Sequence, residues 1–224
     1  MKKKQSQKKV NIEKIVNRLE ADDRLSYAPV VSYIANLTNE PFQILISCIL
    51  SLRTKDKTTA EATNKLFSIA KTPYEIIHLT TKEIENLIYP VGFYRTKAKR
   101  ILEISKILIE QYNGSVPDDL DHLMKLPGVG RKTANLVITE AYDKHGICVD
   151  THVHRIMNRL GYIKTKTPKE TEFELRKKLP LKYWKIINSL LVKLGQTICL
   201  PISPLCSKCQ IIQYCNQIGI NRNR

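Results

Sequence analysis

Four cysteines, Cys199, Cys206, Cys209 and Cys215, fall within seventeen residues in the spacing C-x6-C-x2-C-x5-C. That density constrains the fold more than any other feature, because the segment carrying it must wrap around one centre. No secretory signal precedes it, so disulfides are not expected. Clustered thiolates bind soft metals, which leaves zinc or an iron–sulfur cluster. A tetrahedral zinc site usually pairs two short C-x2-4-C clips, and here only Cys206 and Cys209 form one. Pro201 and Pro204 stiffen the long first spacer. The spacing therefore leans toward iron–sulfur, with zinc left open. The other two cysteines read as small core residues: Cys48 lies in an apolar run, and Cys148 sits between Ile147 and Val149.

The rest of the chain reads as helix. Ile12, Ile15, Val16 and Leu19 follow helical spacing. Pro41 opens a helix through Leu52, and an amphipathic helix follows from Asp56 to Ala70. Thr72 before Pro73 caps a short helix, and Thr80-x-x-Glu83 is a capping box ahead of Ile84, Leu87 and Ile88. Thr96 to Tyr112 carries Ala98, Ile101, Leu102, Ser105, Leu108 and Ile109 on one stripe, closed by Asn113-Gly114. Asp118 or Asp119 caps a short helix to Lys125. Further helices are expected over Arg131–Tyr142, from Asp150 to Leu160, over Thr171–Leu179 and over Tyr183–Thr197. Ile147–Val149 is too short to decide as a strand. The class is all-α.

Charge narrows the partner. A formal net charge of +16 points to a polyanion, nucleic acid first. No stretch approaches the roughly 18 apolar residues of a spanning helix, so no membrane role is expected. The first ten residues are basic without an apolar region behind them, hence a solvated tail rather than a signal peptide. A cytoplasmic location follows as the expectation.

Two local patterns suit such a partner. Leu126-Pro127-Gly128-Val129-Gly130 joins two predicted helices, and its glycines permit a tight hairpin. Val129 would anchor it in the core. The next helix begins at Arg131 with its amides exposed, and a phosphate can sit on such amides without touching a base. An ordinary helix-connecting turn is the plainer alternative. Lys132 stands at that helix start beside Arg131, where a second positive charge is disfavoured, and lysine can form a Schiff base with a carbonyl carbon. Asp150, in Val149-Asp150-Thr151-His152, could cap the following helix. Taken singly, a surface lysine and a capping aspartate are the ordinary readings.

Taken in order, the glycine hairpin with its lysine, the V-D-T-H segment and the four cysteines resemble the endonuclease III family of helix–hairpin–helix DNA glycosylases. The resemblance runs from about Ile15 to Gly219. It implies two helical domains with DNA in the cleft between them: a six-helix domain over residues 34–144, and a discontinuous domain from 11–33 and 145–219 that holds a [4Fe–4S] cluster on the four cysteines. It implies Lys132 and Asp150 as catalytic residues, and Leu126, Gly128, Val129, Gly130 and Arg131 as the DNA-binding hairpin, with the amides of Val129 and Gly130 on a phosphate. Arg53, in Ser51-Leu52-Arg53-Thr54, and Phe93, in Gly92-Phe93-Tyr94, match the positions that fill and wedge the gap left by a flipped base. Here the chain departs from the family, where glutamine and leucine are the common residues.

The implied activity is a bifunctional DNA glycosylase/AP lyase of base excision repair. It would excise oxidised pyrimidines from damaged double-stranded DNA and cut by β-elimination, with abasic sites as a further substrate and the protein acting as a monomer. Two other readings remain: an adenine- or mismatch-specific glycosylase of the same superfamily, and a non-catalytic DNA-binding module. The first generally lacks lysine at the position of Lys132. The second would have no need of both Lys132 and Asp150.

Overall fold

The computed structural model describes residues 8–22 and 30–224. Most of the basic tail therefore lies outside the described residues, as does part of the 11–33 segment. Among the described residues there are twelve α-helices, three short 3-10 turns and no strand. The helices run α1 Ile12–Glu20, α2 Val30–Thr38, α3 Pro41–Ser51, α4 Asp56–Ile69, α5 Pro73–Ile76, α6 Thr81–Ile88, α7 Tyr94–Tyr112, α8 Leu120–Leu123, α9 Arg131–Tyr142, α10 Thr151–Leu160, α11 Pro168–Lys178 and α12 Ile187–Thr197. Ile147–Val149 is buried irregular chain. No described helix is long and apolar enough to cross a membrane.

The described residues divide into two compact units, 30–146 and 8–22 with 147–224. In the first, α3 is the central post. Every residue from Phe42 to Leu50 is buried, as a helix apolar on all sides must be, and α2, α4, α7 and α9 pack around it. Ser47 is buried there too, its hydroxyl donating to the Gln43 carbonyl at 2.6 Å. The helices α5 and α6 lie on α7, and both begin with reciprocal capping boxes at Thr72/Glu75 and Thr80/Glu83.

In the second unit α10 and α12 pair, with α1 on α12 and α11 on α10. Their shared core includes Ile15, Val16, Leu19, Val153, Ile156, Leu160, Ile187, Leu191 and Leu194. Beyond α12 the chain forms only two 3-10 turns, Cys206–Lys208 and Ile212–Tyr214. Side chains tie this segment down instead. Arg18 donates to the Gln210 carbonyl at 3.1 Å, Lys8 Nζ to the Ile212 carbonyl at 3.0 Å, and the Lys8 amide to Asn216 Oδ1 at 2.7 Å.

One helix was not expected from the sequence, and several boundaries differ from the expectation, α8 ending at Leu123 rather than Lys125 among them. Val30–Thr38 is a helix although its β-branched Val-Val start lacks a helical signature; burial of Val30, Val31, Ile34 and Ala35 overrides propensity. The long helix α7 starts at Tyr94 rather than Thr96, because Phe93 in the left-handed region ends the preceding turn. Thr167 caps α11 three residues earlier than expected, with Pro168 at its first turn. A 3-10 turn at Leu181–Tyr183 delays α12 to Ile187.

Candidate functional site

The hairpin lies in the 30–146 unit. Leu126 and Val129 are buried, which pins both sides of the turn in the core. Gly128 has φ +79°, and a Cβ there would come within 2.9 Å of the Arg100 side chain. Glycine is needed for the backbone angle, and Arg100 adds a cation that sequence reading had not singled out. The Val129 amide donates to the Leu126 carbonyl at 3.1 Å. That bond closes the turn ahead of Gly130. Gly130 is the N-cap of α9 and has no side chain with which to cap it. Positive helix dipole, backbone amides, half-exposed Arg131 and exposed Lys132 converge on this end.

Arg53 and Phe93 belong to the same unit, on the loops between α3 and α4 and between α6 and α7. The structure brings them together: the Arg53 guanidinium carbon stands 5.6 Å from the centre of the Phe93 ring. Phe93 is 62% exposed, a large apolar side chain left in solvent at a loop tip. Both residues hold left-handed backbone angles, φ +54° and +59°, a conformation that costs a non-glycine residue about 1–2 kcal/mol. Neither angle was readable from sequence.

Asp150 lies in the other unit, as the N-cap of α10. One carboxylate oxygen accepts from the amides of His152 at 2.8 Å and Val153 at 2.9 Å. The capping role is thus present in full, and the carboxylate has a fixed orientation.

All four clustered cysteines line one cavity in that second unit, with Ile156, Leu160, Leu194, Leu205 and Ile211 as its apolar wall. Among the described residues, no group of three or more histidine, cysteine or acidic side chains is placed to hold a metal ion. The sulfurs do receive N–H donors: Arg159 Nη1 to Cys199 Sγ at 3.3 Å and the Gln217 amide to Cys215 Sγ at 3.3 Å. Burial pushes the Cys209 thiol up to about 11, and burial likewise raises Cys206 and Cys215. Thiols that raise one another in an apolar pocket, with N–H groups aimed at sulfur, are the donor set a soft cationic centre needs to draw out thiolates. The residues fit such a group. Arg159 also donates to the carbonyls of Leu200 and Pro201, both at 2.7 Å, and Arg155 to that of Cys199 at 2.9 Å. Sequence reading missed both arginines, which on an amphipathic helix look like ordinary surface charge. Cys48 and Cys148 are buried away from this cavity, as small core residues.

Comparison with known proteins gives concordant matches. Residues 46–181 fit the profile of the HhH-GPD superfamily of base excision DNA repair proteins. Endonuclease III of Thermotoga maritima is 51% identical over 176 residues, 79% of this chain and 83% of that protein. Endonuclease III homolog 2, chloroplastic, of Arabidopsis thaliana is 42% identical over 89% of this chain, which spans 52% of that longer relative. Among solved structures, a trapped endonuclease III–DNA covalent intermediate in an estranged-adenine complex aligns with a TM-score of 0.75 at 39% identity, covering 80% of this chain and 84% of that one.

Proposed function

The chain belongs to the endonuclease III family of HhH-GPD base excision repair proteins, and from that premise we propose that it excises oxidised pyrimidines from duplex DNA and cuts the strand through Lys132. That it is a DNA glycosylase/AP lyase rests on the family; the lesion class and residue roles are the proposal. The observation that carries it is Lys132, exposed in the first turn of a helix whose N-cap is a glycine, directly behind a hairpin pinned by buried Leu126 and Val129.

A base inside a stacked duplex is out of reach, so the nucleotide must leave the stack. Phe93 wedges between neighbouring bases and Arg53 occupies the vacancy. The α9 end holds a phosphate on its amides, with Arg131 beside it. The Lys132 amine attacks the sugar C1′; the bond from C1′ to the base breaks, and the base departs with its electron pair. Sugar-ring opening gives an iminium at C1′, which acidifies the C2′ proton. Loss of that proton expels the 3′ phosphate and breaks the strand. Asp150, its carboxylate already fixed by the two backbone N–H groups that donate to it, places negative charge where the sugar becomes cationic.

Cys199, Cys206, Cys209 and Cys215 would hold a [4Fe–4S] cluster, whose contribution is structural. Lys193, Lys208 and Arg222 would reach phosphates around it. We place the enzyme in the cytoplasm, acting as a monomer on damaged or abasic duplex DNA. Its affinity should fall steeply with salt, as released counterions require.

The test is a duplex carrying one thymine glycol, incubated with sodium borohydride. Wild type should form a trapped covalent adduct and cut the strand, and Lys132→Ala should do neither. Trapping that persists in the mutant removes Lys132 from this role. Base loss without trapping in wild type would mark a monofunctional glycosylase.

A further inference from the structure

The Lys97 side chain binds the loop that carries Arg53 and is connected through Thr54 to the loop that carries Phe93. Lys97 is 4% exposed, on the inner face of α7. Its ammonium donates to the carbonyls of Leu50 at 2.8 Å and Leu52 at 2.6 Å, and to the Thr54 hydroxyl at 3.1 Å. Three donors meet three acceptors, so the buried charge is fully hydrogen-bonded. Two acceptors are carbonyls at the end of α3, where the helix dipole is negative and a cation is favoured. Burial pushes the lysine down to about 8, so at neutral pH it keeps its charge and all three donors.

The same hydroxyl links the second loop. Thr54 Oγ1 also accepts from the Gly92 amide at 3.2 Å and lies 3.3 Å from the Leu52 carbonyl. With one donor and two acceptor positions, the hydroxyl is saturated. The loops touch at Gly92, where a Cβ would stand 2.6 Å from the Arg53 carbonyl oxygen. The Lys97 amide, in turn, donates to the Phe93 carbonyl at 3.0 Å. That hydrogen bond is the ordinary first helical bond of α7, so the Lys97 side chain holds the Arg53 loop directly and the Phe93 loop through Thr54 and Gly92. Both loop residues sit in left-handed conformations that they would leave if released.

We propose that Lys97 is a positioning residue for strand opening: it locks the Arg53 and Phe93 loops into one rigid wedge, so that the two side chains enter the duplex together. A cavity-filling role would be served by methionine or leucine at lower desolvation cost. A buried ammonium is warranted where three fixed acceptors on a strained loop must be held to a set geometry. The proposal rests on the reading of Arg53 and Phe93 as the residues that enter the duplex.

The test compares two substrates: a thymine glycol duplex, which must be opened, and a single-stranded abasic oligonucleotide, which has no stack to open. Lys97→Met keeps the stem and removes the donors. Since a displacement of about 1 Å can cost about 100-fold in rate, its kcat on the duplex should fall by about 10- to 100-fold, with single-strand cleavage held within about twofold. Combined with Phe93→Ala, the losses should be less than additive, because the lysine acts through the wedge. Equal losses on both substrates, additivity with Phe93→Ala, or an unchanged duplex rate would each overturn the proposal. If Lys97→Met does not fold, Thr54→Val decides by the same criteria, since it cuts the bridge and leaves the ammonium in place. Phe93→Ala and Arg53→Ala alone separate the two levels. If neither slows the duplex reaction, the wedge reading itself fails and this proposal falls with it.

Discussion

The two units close their cores by different means. In 30–146 the helices do it, because α3 is buried along nearly its whole length and its neighbours supply the walls. In 147–224 the helices cover only part, and the last 27 residues carry no α-helix. There the closure falls to guanidinium groups on backbone carbonyls and to thiols gathered in one cavity. A core closed by helices can support strained loops at its edge, as at Arg53 and Phe93. A core closed by thiols places its stability in the hands of whatever those thiols bind.

The largest expected effect comes from breaking the second kind of closure. Cys206→Ser should lose iron and DNA affinity together, measured as iron per chain and as a salt-dependent binding isotherm. Full iron content in that variant would remove Cys206 from the ligand set and erase the contrast between the units. A smaller effect sharpens it from the other side. Ile46→Ala in α3, a fully buried site, should cost about 2–5 kcal/mol of stability in denaturant titration, with iron content unchanged. Loss of iron there would mean that the two closures are not independent.

The smallest effect concerns the strained edge of the first unit. Lys97 has its folded value pushed from 10.5 down to about 8. Between those two values the unfolded chain binds more protons than the native one, so stability rises with pH across that window. Wild type should therefore gain on Lys97→Met as pH climbs from 8 toward 10.5, with a constant difference below 8. Denaturant midpoints of both proteins at several pH values read this directly, and a flat difference throughout would show that the ammonium is not desolvated in the fold.

Where a residue's role is local, it was legible in the sequence. Thr72 and Thr80 announce their caps and Asp150 the start of α10, while the choice between Asp118 and Asp119 was left to the structure, which caps α8 with Asp119. The hairpin showed in its glycines, and the cysteines in their crowding. What escaped depends on contacts distant in sequence or on backbone angle. A lysine in an amphipathic helix reads as surface, and only the carbonyls of Leu50 and Leu52, more than forty residues away, reveal Lys97 as buried. Arg155 and Arg159 escaped for the same reason, since their acceptors lie about forty residues on. Arg53 and Phe93 entered through family resemblance alone. The helix α2 was hidden by β-branched residues whose burial decides their conformation.

Helix α1 packs on α12, and Arg18 and Lys8 reach the segment that carries the last cysteines. That pairing sets an order of assembly on the ribosome. Residues 30–146 form one compact unit whose core is contiguous in sequence, and such a unit can fold while synthesis continues. The first helix emerges before them, yet its apolar face, Ile15, Val16 and Leu19, must wait for residues 187–197. Throughout that interval it is an unburied apolar stripe on a nascent chain. The four cysteines follow α12, so whatever they bind meets a chain already half folded.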